Sequence, residues 1–177
     1  QGTAGKENNG KDFAAVLCAP KIRFILSESR ERRTDMLRNI PKIIPPELVK
    51  TMMEMGHSDV LIIADANFPG TAHAKKIIRM DGIMIPELLE AILQVFPLDT
   101  YVEKPVSLME VMQGDTVETP IWDVYKEMIR KYDDRGETTV GNIERFAFYE
   151  EAKKAYAVIA TSESALYANI MLQKGVI

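Results

Sequence analysis

The chain is short of the features by which most enzymes announce themselves. A single cysteine, Cys18, stands among 177 residues, so no internal disulfide forms and a reducing compartment, the cytoplasm, is the expected setting. No apolar run approaches the roughly 20 residues that cross a bilayer, so no membrane partner is expected. Positive charge is not in excess. The net charge of −4 argues against nucleic acid as the main partner. A glycine-rich phosphate loop is missing, and Ser162 and Ser164 lack the G-x-S-x-G setting of an activated serine. There are only two histidines. His57, Asp59, Asp65 and His73 offer mixed ligand types, but their spacing matches no tight metal motif, so neither a metal nor another cofactor is expected. No repeat, heptad or low-complexity segment occurs in the body of the chain.

What is present is enough to build a core: 46% of residues are hydrophobic and 27% charged, at a length that suits one domain. The first 35 residues read differently. They begin with Gln, hold Gly, Asn and Lys early, and end in the charged stretch Ser27-Glu28-Ser29-Arg30-Glu31-Arg32-Arg33. Residues 1–35 are expected to be an N-terminal extension or an expression remnant outside the functional domain, with 36–177 as that domain. The alternative is an added strand or helix at 22–26 docking on the body. The extension carries seven Lys/Arg and five Asp/Glu, which leaves the remainder at −6.

Along the body, Pro45-Pro46-Glu47 opens a helix, because proline suits the first turn and an acidic residue favours the N-terminal dipole. Leu48, Met52 and Met55 follow at helical spacing, and Gly56 reads as the left-handed residue that ends the helix. Val60-Leu61-Ile62-Ile63-Ala64 is a continuous apolar run, the pattern of a strand buried on both faces, and Asp65 closes it. The expected order continues with a loop at 65–76, a strand at 77–80, a helix at 86–96, a strand at 106–112 and a helix at 121–132. A polar connection at 133–142, a helix at 144–154 and strands at 155–160 and 167–172 complete it. This alternation predicts a layered α/β/α single domain with a mixed, partly parallel sheet. Ligands of such sheets bind at the carboxyl ends of the strands, where Asp65 sits.

Two polar segments carry the candidate chemistry. The first runs Gly56-His57-Ser58-Asp59 and, after the strand, Asp65-Ala66-Asn67-Phe68-Pro69; the second is Tyr167-Ala168-Asn169. His57 suits proton transfer near neutral pH, or else sits at a helix end favoured by the dipole. Asp65 either binds hydroxyls and orients His57, or forms an Asx turn; Asp59 reads as a turn residue. Arg145 offers a fork of donors for substrate oxygens, or a solvated helix face. Tyr167 and Asn169 have period-two spacing, so on a strand they share a face as a phenol and amide clamp, unless the tyrosine is simply packed.

Five segments together resemble the ribose pyranase/fucose mutarotase family, its fucose branch in particular, from about residue 36 to 177. They are Glu54-Met55-Gly56-His57-Ser58-Asp59, Ala64-Asp65-Ala66-Asn67-Phe68-Pro69, Ile78-Arg79-Met80-Asp81-Gly82, Arg145-Phe146-Ala147-Phe148-Tyr149-Glu150 and Tyr167-Ala168-Asn169-Ile170. The resemblance implies a cofactor-free isomerase of free monosaccharides, with His57 as general acid and Asp65, Arg145, Tyr167, Ala168 and Asn169 holding the sugar. A histidine takes the place of Arg145 in the ribose branch, so the arginine points to L-fucose. Thr71 stands where some fucose mutarotases have a histidine. The family forms ring-shaped oligomers, so a homodecamer is expected, for which Phe146 and Phe148 are candidate apolar surface. The rival readings are ribose pyranase activity and a monosaccharide-binding module without turnover.

Overall fold

The apolar run at 60–64 forms β1 (Val60–Ala64), buried along its length except at Val60. Its neighbours are β5 (Ala157–Thr161), parallel, with Leu61 opposite Ala157, and β6 (Ile170–Gln173), antiparallel, with Ile62 opposite Met171. Adding β2 (Ile77–Met80), β3 (Val106–Met109) and β4 (Val140–Ile143) gives a six-stranded sheet in the order β2-β5-β1-β6-β3-β4. Five strands run one way and β6 runs against them. These elements belong to a computed structural model that describes residues 37–177. The expected extension at 1–35 lies outside the described residues.

The strands alternate between two cores. Leu61, Ile63, Ile159, Ile170 and Leu172 face α1 (Pro46–Glu54), α3 (Ile85–Leu93) and α4 (Pro120–Tyr132), which bury Leu48, Leu88, Leu89, Ile92, Tyr125 and Ile129 against them. Ile62, Val158 and Met171 face α5 (Arg145–Lys154), which contributes Phe148 and Ala152. Each such aliphatic or aromatic side chain removed from water contributes about 1.5–3 kcal/mol. The expected α/β/α layering and mixed sheet are therefore present.

Several local expectations are corrected. The loop at 65–76 contains the one-turn helix α2 (Gly70–His73). The connection at 133–142 contains a 3-10 turn at Gly136–Thr139 and most of β4. That strand has no apolar alternation to betray it, because it is a half-exposed edge strand made by backbone pairing to β3. Gly56 is not the left-handed residue; Ser58 is, at φ 68°. The Asp59 carboxylate takes the Gly56 N–H at 2.7 Å, as a turn residue does, and the Ser58 N–H reaches the Lys174 carbonyl at 2.8 Å. Phe148 is fully buried, so of the two expected surface phenylalanines only Phe146 is exposed.

Candidate active site

The reversed direction of β6 builds the site. Asp65 follows β1, Met109 ends β3 and Arg145 follows β4 by two residues, all at the carboxyl edge of the sheet. Because β6 runs against these strands, its start brings Asn169 to the same edge. The residues enclose a cavity of about 220 Å³. That is below the roughly 300–1,000 Å³ of drug-sized pockets and suits a single sugar ring.

Asp65 and Asn169 close the floor by a reciprocal pair. The Asn169 amide donates to Asp65 Oδ2 at 2.7 Å, and the Asp65 N–H donates to Asn169 Oδ1 at 2.9 Å. Asp65 Oδ1 accepts the Asn67 N–H at 2.9 Å, so the anticipated Asx turn is present as well. Burial pushes the Asp65 carboxyl above its ordinary range and Glu163 adds to this, against the donors from Asn67, Asn169 and Phe68.

Arg145 is the first residue of α5, whose N-terminus is capped by the Glu144 side chain accepting from Phe146 and Ala147 N–H at 2.9 and 3.0 Å. One turn on, Tyr149 shares its face. Arg145 Nε donates to the Tyr149 hydroxyl at 3.0 Å, and the guanidinium carbon lies 5.6 Å from the ring centroid. His73 stacks on the same ring at 5.1 Å. The Tyr149 ring lines the cavity beside the arginine.

Tyr167 is not on β6, which starts at Ile170; the clamp is a turn rather than a strand face. Tyr167 has φ 56° and is pinned from α4, where Trp122 Nε1 donates to the Tyr167 carbonyl at 2.8 Å and the Tyr125 hydroxyl to the Ala168 carbonyl at 2.9 Å. The Tyr167 hydroxyl donates to Asp115 Oδ2 at 2.7 Å, and that bond raises the phenol above its usual range. Tyr167 and Asn169 both line the cavity, while Ala168 is buried between them.

His57 lies elsewhere. It precedes β1, so a strand of five residues, about 17 Å long, separates its edge of the sheet from Asp65. Its orienting partner is Asp99, not Asp65: His57 Nε2 lies 3.0 Å from Asp99 Oδ2, and the Asp99 side chain is fully buried. Burial pushes Asp99 upward, but the Tyr101 N–H, His57 and Ser58 outweigh it and hold the carboxyl below its ordinary range. Tyr101 stands edge-on to the imidazole at 5.2 Å. The side chain is 40% exposed, so with Nε2 turned to Asp99 the other edge of the imidazole faces outward among the described residues.

The structure thus gathers Asp65, Arg145, Tyr167 and Asn169 and leaves His57 apart. Asp99, Tyr149 and Asp115 complete the two places and were missed. Tyr149 had a signal, its spacing of four from Arg145 on one helix; Asp99 had none. Among the described residues, no group of three or more His, Cys, Asp and Glu side chains is placed to hold a metal ion, and no helix is long and apolar enough to cross a membrane.

Residues 38–177 match the family model described as the RbsD / FucU transport protein family. The chain is 47% identical over 148 residues to the fucose mutarotase of Danio rerio, covering 80% of this chain and 95% of that protein. Among solved structures it resembles FucU from Bifidobacterium longum, with 60% identity, a TM-score of 0.78 and coverage of 79% and 99%. It also resembles the fucose mutarotase of Streptococcus pneumoniae in complex with L-fucose, with 49% identity, a TM-score of 0.76 and coverage of 80% and 99%.

Proposed function

The chain belongs to the RbsD / FucU family, and we propose that it is an L-fucose mutarotase, an isomerase that interconverts the α and β anomers of the sugar. The observation that carries the reading is the cavity, where Asp65, Asn169, Arg145 and Tyr167 converge as hydroxyl-binding groups from three segments. The likeness to a fucose mutarotase solved with L-fucose supports the choice of sugar. Asp65 and Asn169 accept and donate to sugar hydroxyls, Arg145 donates to sugar oxygens, and the Phe68 and Tyr149 rings face the apolar side of the sugar. We take 36–177 as the mutarotase domain and 1–35 as outside it, which the family match beginning at residue 38 supports.

His57 is the general acid in this reading. It protonates the ring oxygen while a second group takes the anomeric hydroxyl proton; the ring opens to the aldehyde, the C1–C2 bond rotates, and closure gives the other anomer. Such proton transfer is worth roughly 10²–10⁴-fold, which suffices for a reaction that already proceeds in water. Because His57 stands across the sheet from its own cavity, the histidine that serves a sugar comes from a second copy. This accords with a homodecamer whose sites lie between subunits. The same reading places the protein in the cytoplasm, with no nucleic-acid or membrane partner.

Saturation-transfer NMR on L-fucose tests the proposal. Irradiating one anomeric proton is expected to transfer saturation to the other faster with protein than in buffer, and more so than for D-ribose. Acceleration for D-ribose alone makes the chain a ribose pyranase. Binding of L-fucose with no acceleration makes it a binding module.

A further inference from the structure

Asp99 is held more closely than a partner for one histidine requires. Its carboxylate is fully buried and receives four donors: the Tyr101 N–H on Oδ1 at 2.8 Å, and on Oδ2 His57 Nε2 at 3.0 Å, Ser58 Oγ at 3.3 Å and Gln173 Nε2 at 3.1 Å. Gln173, the last residue of β6, meets Asp99 twice. Its main-chain carbonyl accepts the Asp99 N–H at 3.0 Å while its side-chain amide donates to the carboxylate. The backbone leaves this pairing no slack. The Gly175 N–H donates to the Pro97 carbonyl at 2.9 Å, and a Cβ on Gly175 would lie 2.5 Å from the Leu98 carbonyl oxygen.

The charges around the carboxylate are otherwise committed. The Arg135 guanidinium donates to the Asp99 main-chain carbonyl at 3.0 Å and pairs with Asp133 at 2.8 Å. The Lys174 ammonium lies against the Gly175 carbonyl at 3.4 Å, and the Asp59 carboxylate accepts from Gly56. Of the four groups on the carboxylate, only His57 can carry a positive charge. A neutral amide at 173 fixes the carboxylate in place without cancelling its charge, which stays available to the imidazolium.

We infer that Gln173 is a positioning residue for proton transfer: its amide orients Asp99, and through Asp99 the His57 ring, while the neutral donor leaves the pair its full negative charge. The inference rests on the mutarotase reading, and three variants separate the two. Q173L removes the amide but keeps both backbone bonds. It is expected to lower the L-fucose exchange rate at saturation about tenfold, a part of the whole acid–base contribution. KM should stay within about twofold, because Gln173 is not among the residues that line the sugar cavity and acts only through Asp99 and His57. Q173R restores a donor but adds a cation that competes for the carboxylate. Its plateau rate should recover to within about threefold of the unsubstituted protein, while the limb of the pH–rate profile that follows His57 moves to lower pH. Circular dichroism and thermal unfolding establish that each variant is folded.

Folded Q173L with an unchanged rate and limb overturns the inference. So does a rate loss that Q173R does not restore, since that describes packing alone. H57A is the control for the underlying reading: if it keeps full activity, His57 is not the acid and the mechanism itself falls.

Discussion

The two carboxylates that organise this molecule are driven in opposite directions by their surroundings, and that sets the sign of their contribution to stability. Asp99 has its proton affinity lowered on folding, so its charge contributes stability that is present above the unfolded value, about 3.9, and is lost as pH falls through the lower folded value. Asp65 has its affinity raised, so its contribution is present below about 3.9 and is lost as pH rises through the raised value. Urea unfolding of the unsubstituted protein and D99N from pH 2 to 7 should show a stability gap that is widest near neutrality and closes as Asp99 takes its proton. A gap that does not change with pH would mean that shape rather than charge holds His57. Asp65 was legible in the sequence because a charge that ends a buried apolar run must be hydrogen-bonded or face a cleft. Asp99 was not, because its partners, His57 and Gln173, are 42 and 74 residues away and nothing local to Leu98-Asp99-Thr100 points to them.

At the scale of elements, legibility followed burial. α1, α3 and α4 announce themselves because their apolar residues recur with the period of the face they bury, and β1 because it is apolar throughout and buried on both faces. β4 and α2 do not, since an edge strand and a single turn owe their shape to backbone pairing and neighbours rather than to pattern. The start of β6 was misjudged for a related reason. Tyr167-Ala168-Asn169 leads directly into the apolar run Ile170-Met171-Leu172, but Trp122 and Tyr125 of α4 capture its carbonyls and hold Tyr167 in a left-handed turn. The two aromatics, which sequence spacing marks only as a packed face, thus shape the turn that lines the cavity. Y125F should therefore cost about 1–3 kcal/mol, because it leaves the buried Ala168 carbonyl without its donor. It should also weaken L-fucose binding, measured by titration calorimetry. A variant as stable and as tight-binding as the unsubstituted protein would show that α4 does not set the clamp.

At the scale of the whole molecule, the proposed mechanism makes a single chain the holder of two halves of a site, since His57 with Asp99 and the cavity with Asp65 stand at opposite ends of β1. No pattern in one sequence can show this, because the missing partner is another copy of the same pattern. Mixing makes it visible. H57A and D65A are each expected to be nearly inactive, but subunits unfolded together and refolded as mixed oligomers should regain activity. With random assortment, about a quarter of the sites would pair an intact histidine from one copy with an intact cavity from another. No recovery in mixed oligomers would place both residues' work within a single chain.

The antiparallel course of β6 has one more consequence. Its start presents Asn169 to Asp65 and its end presents Gln173 to Asp99, so a single span of backbone is the yardstick between the cavity at one edge of the sheet and the Asp99–His57 pair at the other. Adding or deleting one residue within it would turn every side chain beyond the change to the opposite face. Neither end can then be relocated independently of the other, and substitutions, rather than changes of length, are the route by which this strand can vary.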